Sequence, residues 1–286
     1  MSRPFRLALP SKGRMHSPAV ALARDAGIEV EVNGRALYSH CSQWDIEVLF
    51  ARSDDIPAWV EDGAVETAIA GRNQLIEAGS QARELLPLGF GRCRLELAVA
   101  NDSPVRAPAD LAGGRVATAY PATTRAFFEQ AGVEVQLVAI HGSVELAPRL
   151  QAAEAICDLV SSGETLRQNG LRAVETVLES EAVLLARPDL EERLGHVAAA
   201  LATVMESVLA ARDRRYLMLN APDGSLDEVI ALLPGMESPT VLPLARTGMH
   251  AVHAVVERGA VVELLGPLRA AGASSILVLP IEHLVP

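Results

Sequence analysis

The stretch EAICDLVSSGETLRQNG, Glu154 to Gly170, carries the sharpest contrast in the chain. A run rich in apolar residues (Ala155, Ile156, Cys157, Leu159, Val160) stops at Ser161-Ser162-Gly163, as a buried strand of an α/β fold stops at its turn. Ser161-x-x-Glu164 fits a capping box and predicts that a helix begins there. The N–H groups of such a start, with the hydroxyls of Ser161, Ser162 and Thr165, also suit a phosphate. Gly163 lets the backbone approach an anion without an intervening Cβ. Asp158 sits on the strand just before, placed to accept hydrogen bonds from sugar hydroxyls. The G-x-x-x-x-G-K-[ST] pattern is missing, so a P-loop ATPase is not indicated.

Outward from that stretch, strands and helices alternate. RLALPSKGR reads as a first strand entering a loop, and Pro18 to Ala26 as a helix closed by Gly27. IEVLFA, VETAIAG, CRLELAVA, RVATAY, VEVQLVAI and AVLLARP read as strands, CRLELAVA as an extended one that could link two lobes. DDIPAWVEDG, Thr123–Ala131, Ser143–Ala153 and Leu190–Ala211 read as helices, the first opening at Asp54 or Asp55 with Pro57 in its first turn. EDGAVETAIAG (Glu61–Gly71) and LQAAEAICDLVSSG (Leu150–Gly163) share a layout of helix end, strand and glycine loop, as two similar lobes would. After Arg212-Asp213-Arg214-Arg215 the order becomes β-α-β-β-α-β, a ferredoxin-like module of about 75 residues.

Composition narrows the class. The 286 residues suffice for two or three domains, and a net charge of −11 argues against a nucleic-acid-coating surface. No uninterrupted apolar run approaches the roughly eighteen residues of a membrane span, and the start does not read as a signal peptide. Cys41, Cys93 and Cys157 lie far apart in apolar surroundings and fit reduced thiols. His250 and His253 lack the spacing of a metal pair. A cytoplasmic protein is expected. Of 25 basic residues only Lys12 is lysine; either base composition and chance leave one lysine, or LPSKGR is a place needing a compact ammonium charge.

EAICDLVSSGETLRQNGL resembles the phosphoribosyl-pyrophosphate signature of the ATP phosphoribosyltransferase family, which opens histidine biosynthesis. LPSKGRM, RSDDIPAWVEDG, FGRCRLELA, ATAYPATTR and HGSVELAPRL fall in that family's order. YLMLNAPDGSLDEVIALLPGMESPTVLPLA and GASSILVLPIEHL are similar to the regulatory domain of its long form. The resemblance implies an α/β fold: two periplasmic-binding-protein-like lobes around a cleft, plus a C-terminal ferredoxin-like (βαββαβ) domain. Lobe I would take residues 1–95 with a return segment at about 181–211, lobe II 96–180, and the regulatory domain 212–286. It implies attack of ATP adenine N1 on C1 of phosphoribosyl pyrophosphate, with Mg2+ carried on the substrate and L-histidine as feedback inhibitor. A homo-oligomer, dimer to hexamer, belongs to the same expectation, without nucleic acid or membrane.

Carried over by position, Asp158 would hold the ribose hydroxyls. Leu159, Val160, Ser161, Ser162, Gly163, Glu164, Thr165 and Leu166 complete the phosphoribosyl loop. Lys12, Arg14 and Arg52 would neutralise the phosphates as catalytic groups. Tyr120, Glu145, Arg149 and Asn73 would contact the nucleotide, although Glu145 and Arg149 also have the spacing of a plain helical ion pair. Asn220, Ser238, Thr240 and Ala273 would hold histidine. Two departures stand out. Glu164 occupies a position where the family commonly has a small residue, and its carboxylate would repel a phosphate unless it points outward to cap. Glu66-Thr67 replaces the usual Asp and apolar residue. The competing reading is a two-lobed, non-catalytic small-molecule receptor.

Overall fold

The computed structural model describes residues 3–31, 37–233 and 238–285. The chain divides into two compact units, Met1–Ala202 and Thr203–Pro286. The first unit begins β1 (Phe5–Pro10), α1 (His16–Asp25), β2 (Tyr38–Cys41), β3 (Ile46–Ala51) and α2 (Ile56–Glu61). It continues through β4 (Thr67–Gly71), α3 (Arg72–Ala78), β5 (Arg83–Pro87), β6 (Cys93–Ala100), β7 (Arg115–Thr118) and α4 (Pro121–Gln130). Then come β8 (Gln136–Ala139), β9 (Ala155–Val160), α5 (Glu164–Gln168), β10 (Leu171–Ser180) and β11 (Ala182–Ala186). Helix α6 (Glu192–Arg212) carries the chain across the unit boundary.

Two sheets organise the first unit. One has the order β2-β3-β1-β4-β11-β5, the other β10-β6-β9-β7-β8. In the first, β1 runs parallel to β3 and β4, so Pro10, Ala51 and Gly71 end at one edge. In the second, β7 runs parallel to β8 and β9. Leu7, Leu9, Val48, Ile69 and Leu184 are fully buried in the first sheet, and Leu95, Leu97, Val116 and Ile156 in the second. Each such side chain contributes roughly 1.5–3 kcal/mol of hydrophobic stabilisation, an upper estimate against an extended chain. The near-continuous apolar character of β4 and β9 follows from burial on both faces, as central parallel strands require.

The second unit holds β12 (Arg214–Pro222), α7 (Leu226–Ala231), β13 (Thr240–Pro243), β14 (Met249–Glu257), α8 (Val261–Ala270) and β15 (Ser274–Pro280). The sheet order is β13-β14-β12-β15. Leu217, Leu219 and Ala221 alternate inward along β12 and pack with Val229, Val252 and Leu268. The β-α-β-β-α-β order predicted from the sequence is the one observed. Residues 234–237, inside the segment YLMLNAPDGSLDEVIALLPGMESPTVLPLA, lie outside the described residues.

Four local expectations are corrected. Ser143–Ala153 is not a helix: only Val144–Leu146 makes a 3-10 turn, flanked by Ser143 and Gln151 with φ of 51° and 56°. Pro148 has no N–H to continue a helical ladder, which explains the break. VEVQLVAI contributes only Gln136–Ala139 as strand. CRLELAVA is no link between lobes but the second strand of the second sheet, paired to both β9 and β10. The capping box at Ser161 does not form, because α5 starts from Gly163 at φ 77° and Ser162 Oγ accepts from Glu164 N at 3.3 Å.

Candidate active site

Both sheets present the carboxyl ends of their parallel strands to one region, the usual place for a ligand in open α/β sheets. From the first sheet come the loops after β1 (Lys12, Arg14) and after β3 (Arg52, Ser53), and the first turn of α3 directly after β4 (Asn73). From the second come Tyr120 after β7 and Ser161–Gly163 after β9. The two sets meet directly: Arg14 Nη1 donates to Ser161 Oγ.

A hollow of about 140 Å3 is formed by the β9 end and its turn, with Asp158, Ser161, Ser162, Gly163, Thr165 and Glu145 in its wall. Leu159, Val160 and Leu166 complete the lining. The N–H groups of Ser162, Gly163 and Thr165 donate to no carbonyl among the described residues, so they remain available to an anion. Gly163 must be glycine here, since its φ of 77° strains any residue with a Cβ. Glu164 is not in that wall. Its carboxylate turns along α5, where it is held by Arg167 and accepts from Gln168 Nε2 at 2.9 Å. The concern raised by a carboxylate beside a phosphate is met by this outward pairing.

Asp158 accepts from its neighbour Leu159 N at 2.8 Å. Burial, together with the charge of nearby Glu145, raises its pKa above the usual aspartate value despite that bond. Glu145 reaches the site because the left-handed Ser143 turns the chain before it. Arg149 is exposed and forms no ion pair with Glu145 among the described residues, which removes the helical-pair reading.

An adjoining hollow of about 200 Å3 gathers Lys12, Arg14, Ser53, Asn73, Tyr120 and Leu159. Arg52 is exposed beside Ser53, just beyond β3. Among the described residues no carboxylate comes within ion-pair reach of Lys12, Arg14 or Arg52, whereas Arg72, Arg94 and Arg115 each hold a glutamate at 2.6–2.7 Å. Unneutralised cations at this edge, in a chain of net charge −11, make a local field for a polyanion. The Tyr120 hydroxyl is pushed far above its ordinary pKa by burial and by Asp158 and Asp54, so the phenol stays neutral at physiological pH.

Asn73 is buried and its amide is fixed. Ser180 Oγ accepts from Asn73 N at 2.9 Å, and therefore gives its own proton to Asn73 Oδ1, also at 2.9 Å. Gly71 makes room for this arrangement, because a Cβ there would lie 2.5 Å from Asn73 Oδ1. Its φ is ordinary, so the clash is the whole effect. Gly71→Ala is expected to cost about 1–3 kcal/mol of stability by overpacking, read as a lower melting temperature. Ser180 and Glu77, which accepts from Ala122 N and Thr123 N, escape sequence reasoning because their partners lie 107 and 45–46 residues away.

In the second unit Asn220 lies opposite Ser274 on β15, next to buried Ala273. Thr240 lies opposite His253 on β14, and Ser238 is exposed just before β13. Asn220 and Thr240 are two strands apart, roughly 10 Å at ordinary strand spacing, so these positions do not form one cluster. His253 Nδ1 is 3.0 Å from the Tyr216 hydroxyl and its ring packs edge-on against that tyrosine.

Comparison with known proteins agrees with this geometry. Residues 52–207 match the family described as ATP phosphoribosyltransferase, and residues 211–283 match the HisG C-terminal domain. An ATP phosphoribosyltransferase of Phocaeicola vulgatus is 41% identical over 281 residues, covering 98% of this chain and 99% of that one. The Thermotoga maritima ATP phosphoribosyl transferase (HisG:HisZ) complex superposes with a TM-score of 0.61 at 22% identity, over 71% of this chain and 98% of the other. A periplasmic sulfonate-binding protein of Methylobacillus flagellatus gives a TM-score of 0.50 at 15% identity, over 71% and 67% of the two chains, and shares the two-lobed fold alone. Matched in order by both family patterns and nearly end to end by the Phocaeicola vulgatus sequence, the chain belongs to the ATP phosphoribosyltransferase family, in its long form with the C-terminal domain.

Proposed function

We propose that the chain transfers the 5-phosphoribosyl group from phosphoribosyl pyrophosphate to N1 of ATP, the first step of L-histidine biosynthesis. Adenine N1 supplies a lone pair to C1 of the ribosyl group, the C1–O bond to pyrophosphate breaks, and N1-(5-phosphoribosyl)-ATP and pyrophosphate leave. No strong base is needed to start, so the protein aligns two polyanions and stabilises developing charge. The observation that carries this reading is the contact of Arg14 with Ser161 of the β9 turn, beside the hollow that Arg14 lines together with Lys12. That turn takes the 5′-phosphate and Asp158 the ribose hydroxyls, while Lys12, Arg14 and Arg52 face the pyrophosphate and triphosphate. The pyrophosphate arrives as its Mg2+ complex and is written as substrate. The test mixes protein with ATP, Mg2+ and phosphoribosyl pyrophosphate and follows the ultraviolet absorbance of the N1-substituted adenine. Binding of both substrates without product sinks the reading and favours a receptor.

The same proposal includes feedback inhibition by histidine through the second unit, a cytoplasmic location and self-assembly from dimer to hexamer. Three buried free cysteines support a reducing compartment. Asn220, Ser238, Thr240 and Ala273 remain the proposed histidine positions. Their separation within one chain suits a site completed by a second copy. A chain ended at Ala211 is expected to lose histidine sensitivity, read as the inhibition curve; full retained sensitivity overturns that assignment.

A further inference from the structure

Tyr120 is the N-cap residue of α4 and has no side-chain acceptor to offer the helix start. Serine, threonine, aspartate or asparagine normally fills that role. Here the acceptor comes from the other lobe. Glu77, in the last turn of α3, places Oε1 2.8 Å from Ala122 N and Oε2 2.9 Å from Thr123 N. Thr123 Oγ1 donates to the same Oε2 at 2.7 Å. A carboxylate at a helix N-terminus is favoured by the helix dipole and by charge-assisted bonds. Lobe I therefore holds the first turn of a lobe II helix, two and three residues beyond Tyr120.

Tyr120 shares the cationic hollow with Lys12 and Asn73, which belong to lobe I. Its backbone is tied on the lobe II side, where Tyr120 N donates to Thr118 Oγ1 at 2.9 Å and Thr124 Oγ1 donates to Tyr120 O at 2.7 Å. Alongside the Arg14–Ser161 and Asn73–Ser180 contacts, the Glu77 bridge at α4 is the side-chain tie between the lobes that lies nearest Tyr120 in sequence. We infer that Glu77 is a positioning residue that sets Tyr120 against the lobe I cations, and through it the affinity for the nucleotide. This rests on the proposed nucleotide role of Tyr120.

The test is a double-variant cycle of Glu77→Ala and Tyr120→Ala, read by calorimetric titration with ATP and by steady-state kinetics. Glu77→Ala is expected to weaken ATP binding about tenfold, within the range of coupling between residues of one hydrogen-bond network. The change in kcat and in KM for phosphoribosyl pyrophosphate is expected to stay within about threefold. In the Tyr120→Ala background the same substitution is expected to change ATP affinity by less than about twofold, because coupled residues are non-additive. Equal effects in both backgrounds, or equal losses for both substrates, overturn the inference. If Glu77→Ala does not fold, Glu77→Gln and Thr123→Val remove one bond each, keep the shape, and are read in the same cycle. Wild-type turnover is measured alongside: its absence removes the proposed reaction, while the ATP titrations still decide Glu77.

Discussion

Lys12→Ala is expected to lower kcat/KM by about two to three orders of magnitude, the usual cost of deleting one preorganised electrostatic contact. The side chain is exposed and makes no ion pair among the described residues, so the melting temperature should stay unchanged. Lys12→Arg keeps the charge but replaces a compact ammonium with a wide planar fork, and is expected to recover little of the activity. Steady-state kinetics on folded protein decide both, and an unchanged rate for Lys12→Arg would make the lone lysine an accident of composition. The solitary lysine also gives a direct chemical probe. Reductive methylation can alter only this side-chain amine besides the chain terminus, and phosphoribosyl pyrophosphate or ATP should slow it.

Asp158→Asn is expected to move activity and stability in opposite directions. Burial, reinforced by Glu145, raises the folded-state pKa of Asp158, so the fold favours its protonated form. Above the unfolded pKa the ionised carboxylate therefore costs folding free energy. The variant removes that cost while its amide oxygen still accepts from Leu159 N. Its melting temperature should exceed that of the wild type at neutral pH, and the difference should shrink as pH falls through the folded pKa. Catalysis should drop, by about 10²-fold or more, if the carboxylate holds ribose hydroxyls as the charge on C1 develops. A variant that is less stable at neutral pH, or fully active, would contradict this account.

Most of the fold was legible where burial leaves a simple pattern. β1, β3, β4, β9 and β11 are apolar because neighbours cover them, and the strand–helix order of the second unit showed through the same signal. β10 went unread although it has ten residues. It is an edge strand with register shifts between Ala173 and Glu175 and between Thr176 and Leu178, which break the alternation that marks a strand. Ser143–Ala153 misled for the opposite reason: its apolar spacing mimics a helix that Pro148 prevents. At the site, the small-residue turn after β9 and the lone lysine were visible as local sequence. The direction of Glu164 was not, since Arg167 and Gln168 determine it. Contacts such as Ser180 to Asn73, 107 residues apart, exist only once the two lobes are assembled.

The placement of β11 has a consequence for how the chain comes off the ribosome. Strands β6 to β10 form a contiguous block, so the second sheet can be completed from a single uninterrupted stretch. The first sheet cannot. β11 pairs with β4 on one side and β5 on the other, and β5 has no other neighbour in the sheet. Until Ala182–Ala186 emerges, β4 and β5 offer open edges of the kind that invite wrong pairing. The lobe begun first during synthesis is thus the one finished last, and the later lobe must be made before the earlier one can close.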